Sequence, residues 1–227
     1  MKKYNSKIPL ISIHIPKCGG TSLRSVLKKW FGEKLLLHYF NEAESKMPVK
    51  HRLRRNLTGR YKSNLCIHGH FNRNRGFGVD DYYPKIKHYI TFIRDPLEIQ
   101  LSLFHFNYNH FIKGKLYRNG ANITFTDDID QFLETSKPYV KFFMPGEINL
   151  NNIEDYLSKN FVHLGDIQNY QRSLEIIAEK LNKPKCRAPI ENITKRHITP
   201  SETSIKIFKS KCDLEYKIYN YAVKLNM

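Results

Sequence analysis

Apolar positions along the chain fall into short β-branched runs, each followed by a stretch with helical spacing. Residues 10–15 (LISIHI) form a compact apolar run, the pattern of a buried strand. Pro16 ends it, because proline has no N–H to give a ladder. Gly19 and Gly20 permit a tight turn, and Thr21 or Ser22 is the candidate cap of a following helix. In that helix, residues 23–30, Leu23, Val26, Leu27 and Trp30 share one face. The alternation returns at Tyr89–Ile93 (YITFI), a central strand by composition, which ends in Arg94-Asp95-Pro96. Beyond it Leu97, Leu101, Phe104 and Tyr108 recur at helical spacing, and Pro96 suits the first turn of that helix.

Weaker signals fill in the rest. Residues 34–40 and 65–67 read as strands, and so do 161–165 (FVHLG). Residues 171–181 form an amphipathic helix through Leu174, Ile177, Ala178 and Leu181. Residues 213–225 form another through Leu214, Ile218, Tyr221 and Leu225. Short helices are expected at 130–133 and 152–158, loops at 72–87, 111–126 and 192–201, and an irregular aromatic stretch at 139–147. Strands alternating with helices predict an α/β fold, a mostly parallel central sheet flanked by helices. A single domain over residues 1–227 is expected.

Composition narrows the classes. A hydrophobic content of 41% and an aromatic content of 13% in 227 residues suffice for a packed core. No run approaches the roughly 18 apolar residues of a membrane span. The amino terminus is a poor signal peptide, its apolar run short and broken by His14 and two prolines, so a cytoplasmic location is expected. Cys18, Cys66, Cys186 and Cys212 are scattered without a C-x-x-C pair, which supports neither a zinc site nor a disulfide framework. Cys18 reads as a small residue filling the glycine turn; a low-pKa thiol at a helix N-terminus is the alternative. The formal net charge of +17 implies an anionic partner without choosing among nucleotide, acidic glycan, nucleic acid and membrane surface. The segment 50–62, with Arg52, Arg54, Arg55 and Arg60, is a candidate polyanion surface or a solvated stretch.

Candidate chemistry sits at the strand ends, where open α/β sheets bind ligands. A strand, a glycine turn and a helix start place several backbone N–H groups around one point, with the helix dipole and Lys17 adding positive potential. A nucleoside triphosphate loop carries its lysine after the glycines. Here PKCGGTS carries it before them, which argues against an ATPase, a GTPase or a P-loop small-molecule kinase. At the second strand end Arg94 can grip a phosphate through a forked pair of bonds, and Ser102, eight residues on, can add a hydroxyl. A structural Arg94–Asp95 ion pair is the plain alternative. His68-Gly69-His70 closes the run 65–67, and either imidazole could serve as a general base.

PKCGGTSL followed by FIRDPLEIQLSLFHF resembles the sulfotransferases that use 3′-phosphoadenosine 5′-phosphosulfate (PAPS). It is most similar to the carbohydrate branch that includes the heparan sulfate and uronyl 2-O-sulfotransferases. The resemblance implies the P-loop-like sulfotransferase fold and sulfuryl transfer from PAPS to an acceptor hydroxyl, on a carbohydrate, without a metal. It implies that Lys17, Cys18, Gly19, Gly20, Thr21 and Ser22 hold the 5′-phosphosulfate, with Lys17 also catalytic, and that Arg94 and Ser102 hold the 3′-phosphate. His68-Gly69-His70 matches the active-site triplet of the 2-O-sulfotransferases, which implies His70 as base and His68 in support. The late basic loop implies Lys195 or Arg196 at the nucleotide. Cys18 and Ile99 depart from the family pattern, which commonly has threonine and arginine there. A non-enzymatic glycan- or nucleic-acid-binding protein would explain the charge but not the two anion-gripping turns; no nucleic-acid partner is expected.

Overall fold

A computed structural model describes residues 1–53, 63–112, 126–187 and 196–227. Arg54, Arg55, Arg60 and Lys195, and nearly all of the loop expected at 111–126, lie outside the described residues. Five strands form one sheet: β1 (Leu10–Ile13), β2 (Leu35–His38), β3 (Cys66–Gly69), β4 (Tyr89–Ile93) and β5 (Phe161–Asp166). Their order is β2-β3-β1-β4-β5, and every pairing is parallel. Except for the edge strand β2 the strands are buried along their length, which is why they read as continuous apolar runs rather than as alternating ones. The expected α/β architecture is therefore present.

The chain leaves β1 towards β2 and β3 on one side and returns to β4 and β5 on the other. The order thus reverses at β1, and the carboxyl end of β1, flanked by β3 and β4, is where an open α/β sheet binds its ligand.

Helix α1 (Gly20–Phe31) follows β1, and α3 (Pro96–Phe111) follows β4, with the four-residue α2 (Val79–Tyr82) between them in sequence. The predicted face of α1 is buried at Leu23, Val26, Leu27 and Trp30. Each such side chain contributes on the order of 1.5–3 kcal/mol of burial. The far end of α1 is tied down by the Trp30 indole, which donates to the Pro184 carbonyl at 3.0 Å. The later helices are α4 (Ile129–Thr135), α5 (Ile153–Asn160), α6 (Tyr170–Lys180), α7 (Glu202–Lys209) and α8 (Asp213–Asn226). Leu174 and Ile177 of α6 and Ile218 and Ala222 of α8 join the sheet core. A second cluster gathers Leu101 and Phe104 of α3, Ile129 and Leu133 of α4, and Phe208 of α7. Among the described residues no helix is long and apolar enough to cross a membrane.

Two local expectations need correction. Neither Thr21 nor Ser22 caps α1; Gly19, at φ 72°, occupies the cap position, and no side chain caps the helix. The left-handed glycine turns the chain early enough that Thr21 and Ser22 fall inside the first turn. The stretch 72–87 is not all loop, because α2 starts at Val79 with its preceding N–H (Gly78) bonded to the Asp81 carboxylate at 2.8 Å. Helix α7, a stretch assigned no element from the sequence, is capped by Ser201, which accepts from the Ser204 N–H at 3.2 Å.

Candidate active site

The loop after β1 turns through two residues with positive φ, Lys17 at 65° and Gly19 at 72°. A lysine in this region is strained, and such strain is held only where the surroundings impose it. Here the Arg94 guanidinium donates to the Lys17 carbonyl at 3.3 Å, and Tyr139 donates from its hydroxyl to the Pro16 carbonyl at 3.2 Å. The turn leaves the first N–H groups of α1 without intrahelical acceptors and without a capping side chain, so they are available to an anion. A side chain at Gly19 would meet Tyr170 at 3.0 Å and Ile167 at 3.3 Å. Cys18 is buried, and burial pushes its thiol up to about 12. It fills space; the reactive-thiol reading falls.

The Lys17 ammonium lies over the Phe106 ring, 4.2 Å from its centroid. Burial and the neighbouring Arg94 charge pull its pKa down to about 8. Phe106 follows Glu98 and Ser102 at intervals of four on α3, so one stripe of that helix is turned to the loop.

Arg94 does not pair with Asp95. Asp95 caps α3, accepting from the Leu97 and Glu98 N–H groups at 2.8 and 3.3 Å. Arg94 instead donates to Glu98 at 3.1 Å, and Arg196 meets the same carboxylate from across the chain. The two arginines hold the Glu98 carboxyl below its ordinary value. Sequence reasoning named both arginines and missed Glu98, whose i,i+4 spacing from Arg94 was the available signal. Ser102 is buried one turn further along.

The histidines lie on the other side of β1. Gly69 is a glycine because a Cβ there would come within 1.8 Å of the His38 carbonyl on β2. His68, in the strand, is wholly buried and shares a 2.9 Å hydrogen bond with Ser12 opposite it on β1. Burial lowers its pKa to about 3. His70, just past the strand, is partly exposed, and its Nδ1 lies 2.7 Å from the His14 carbonyl. A carbonyl only accepts, so Nδ1 carries the proton and the neutral ring keeps its lone pair on Nε2. Burial lowers the His70 pKa, partly opposed by the His14 carbonyl and Glu42.

Sequence reasoning also missed His14, which joins these parts. Its ring stacks on His70 with centroids 4.2 Å apart and on His68 at 5.4 Å. Beneath the loop, the buried Glu215 of α8 accepts from the Val140 N–H at 2.5 Å. This holds the turn that carries Tyr139 and Phe143.

The structure thus joins Arg94 to the Lys17 turn and, through Glu98, to Arg196, with the histidines at the adjoining strand ends. Among the described residues no grouping of His, Cys, Asp and Glu suits a metal ion.

No protein-family model matches the chain, and no curated protein is similar to it. Among solved structures, the mouse sulfotransferase SULT7A1 complexed with PAP is similar in chain path. It shares 15% identity over 93% of this chain and 67% of its own, with a TM-score of 0.47.

Proposed function

We propose that the protein is a sulfotransferase of a single domain that moves a sulfuryl group from PAPS to an acceptor hydroxyl, on a carbohydrate. The observation that carries this reading is the bond from Arg94 to the Lys17 carbonyl. It joins two anion-gripping turns at the sheet's reversal point, with a correctly protonated imidazole, His70, at the next strand end. One turn suits a 5′-phosphosulfate and the other a 3′-phosphate. A donor with phosphates at both ends of its ribose asks for this pair.

The residues fit that donor. Lys17 and the uncapped N–H groups of Gly20, Thr21 and Ser22 stabilise negative charge as it grows on the departing phosphate oxygen. Cys18 and Gly19 contribute backbone. Arg94 and Arg196, set by Glu98, and the Ser102 hydroxyl receive the 3′-phosphate. His70 takes the acceptor's proton on Nε2, and His68, bonded to Ser12, supports the strand end from within. When bound, PAPS supplies an activated sulfuryl group, and this scheme uses no metal. The carbohydrate acceptor rests on the resemblance of His68-Gly69-His70 alone.

Calorimetry with 3′-phosphoadenosine 5′-phosphate (PAP) beside ATP, ADP and adenosine 5′-phosphosulfate tests the donor. Preference for the 3′-phosphorylated nucleotide, lost in Arg94→Ala, supports the reading; equal or absent binding overturns it. Replacing His70 by alanine abolishes turnover and leaves PAP affinity intact, and a mutant of wild-type rate removes His70 as base.

A further inference from the structure

His14 is the least explained group at the centre of this site. It follows β1 directly, at the end of the sheet's middle strand. Its N–H continues the ladder by donating to the Gly69 carbonyl at 2.8 Å, and its carbonyl fixes His70. The imidazole lies between the His70 ring and the first turn of α1. A Cβ on Gly20 would fall 2.2 Å from His14 Nε2 and 1.9 Å from Cδ2. The Nε2 edge therefore lies directly against the helix start that gathers the loop N–H groups, and Gly20 is a glycine to admit it. The ring is partly exposed rather than sealed in the core.

Its other nitrogen is committed. Nδ1 lies 2.9 Å from the Tyr39 hydroxyl, and the two rings meet edge to face. Burial pushes the Tyr39 phenol up to about 12, so it keeps its proton, and His14 Nδ1 is its hydrogen-bond partner among the described residues. With the phenol as the donor to Nδ1, the neutral imidazole carries its proton on Nε2. His14 also stays uncharged: burial holds its pKa well below the ordinary histidine value, and His70, His68 and Arg24 all oppose a second proton.

We propose that His14 is a further catalytic residue, a neutral hydrogen-bond donor whose Nε2–H contacts the oxygens of the sulfuryl group in transfer, with Tyr39 as the positioning residue that selects this tautomer. The inference rests on the sulfotransferase reading. Two stacked rings then present opposite functions to one reaction. His70 offers a lone pair to the acceptor hydroxyl, and His14 offers an N–H to the group being attacked. The new bond joins acceptor oxygen to sulfur, the sulfur–phosphate oxygen bond breaks, and the phosphate keeps the electron pair. The acceptor's proton passes to His70, and the His14 proton is not transferred. An uncharged donor suits this place, because a cation here would cost His70 its basicity through like-charge repulsion.

Long-range proton–nitrogen NMR of the histidine rings tests the tautomers. His14 is expected with its proton on Nε2 and His70 with its proton on Nδ1. Adding inorganic sulfate to the PAP complex should shift the His14 Nε2 signal beyond what PAP alone does. In His14→Phe, which keeps an aromatic ring in the stack and removes the donor, kcat should fall by about 100-fold. In that variant the KM for PAPS and the affinity for PAP should change less than about twofold. His14→Gln, which restores an N–H, should recover part of the loss. Tyr39→Phe should mix the His14 tautomers and lower kcat by about tenfold without moving PAP affinity. A proton on His14 Nδ1, or a wild-type kcat in His14→Phe, overturns the inference and leaves the sulfotransferase reading standing. A wild-type protein that binds no PAP overturns both.

Discussion

Arg196 lays both terminal nitrogens of its guanidinium on the carboxylate of Glu98, 98 residues away in the chain, at 3.1 and 2.5 Å. The same carboxylate accepts from Arg94. Glu98 is thus the hinge pin of a two-arginine clamp at the amino end of α3. All three groups are partly exposed, so the ion pairs themselves add little to stability. Their value lies in where they hold two cations.

That arrangement predicts coupling. Arg94→Ala and Arg196→Ala should each weaken PAP binding, and their effects should not add. A double-mutant cycle on PAP affinity should give an interaction energy on the order of 1 kcal/mol. Repeated in a Glu98→Gln background, the coupling should vanish. Strict additivity with Glu98 intact would mean that the arginines act separately and that Glu98 does not organise them.

Two of the glycines that face other chain segments should fail differently. A Cβ at Gly69 meets the backbone carbonyl of His38 at 1.8 Å, and backbone cannot step aside. Gly69→Ala should force β2 from β3 and destabilise the protein by about 3 kcal/mol, read as a lowered unfolding midpoint. The atoms nearest a Cβ at Gly20 belong to the His14 ring. Gly20→Ala should unfold close to wild type while displacing that ring and lowering kcat. Equal unfolding midpoints for Gly69→Ala and wild type would contradict the packing.

Strand ends were legible in the sequence because they combine two strong signals. The strand Tyr89–Ile93 is bounded as its apolar run predicts, and Pro96 enters α3 where expected. Lys17, Arg94 and His70 were legible as charge or imidazole at those ends. Glu98 and His14 were not. A glutamate two residues into a helix reads as an ordinary first-turn acid, and its partner Arg196 comes from a loop fixed only by tertiary packing. His14 sat inside an apolar run and read as an interruption. Its role depends on register, which places Gly69 and His70 beside it. Periodicity gives faces, not which strand lies next.

Buried imidazoles should make the fold acid-labile. Burial holds His68 at about 3 and His38 and His163 at about 4. Each therefore binds fewer protons folded than unfolded between those values and the free value of about 6.5. Stability rises with pH across that window, so their contribution is complete above about 6.5 and drains away as pH falls towards 4 and 3. Glu215 acts in the opposite sense. Burial pushes its carboxyl up to about 7, so the folded state holds a proton that the unfolded state releases above about 4.5. The three histidines should outweigh it. Denaturant midpoints should fall steadily from pH 6.5 to 4.5, and more steeply in Glu215→Gln, which deletes the opposing contribution. A flat wild-type profile would rule out buried neutral imidazoles.

If Lys17 meets the nucleotide phosphate as proposed, binding should fail at alkaline pH. Burial and Arg94 bring its ammonium down to about 8 in the free protein, and a phosphate beside it favours the charged form. The complex would therefore hold a proton that the free protein loses above about 8, so affinity for PAP should be flat from about pH 7, where the nucleotide's own phosphates are ionised, up to that pH. Above it, affinity should fall by up to about tenfold per unit until the bound lysine also titrates. Calorimetry in buffers of different ionisation enthalpy should show a proton taken up on binding near pH 9. Lys17→Arg keeps its charge throughout this range and should remove both the alkaline limb and the proton uptake. If the limb persists in Lys17→Arg, another group titrates, and Lys17 is not the cation that meets the phosphate.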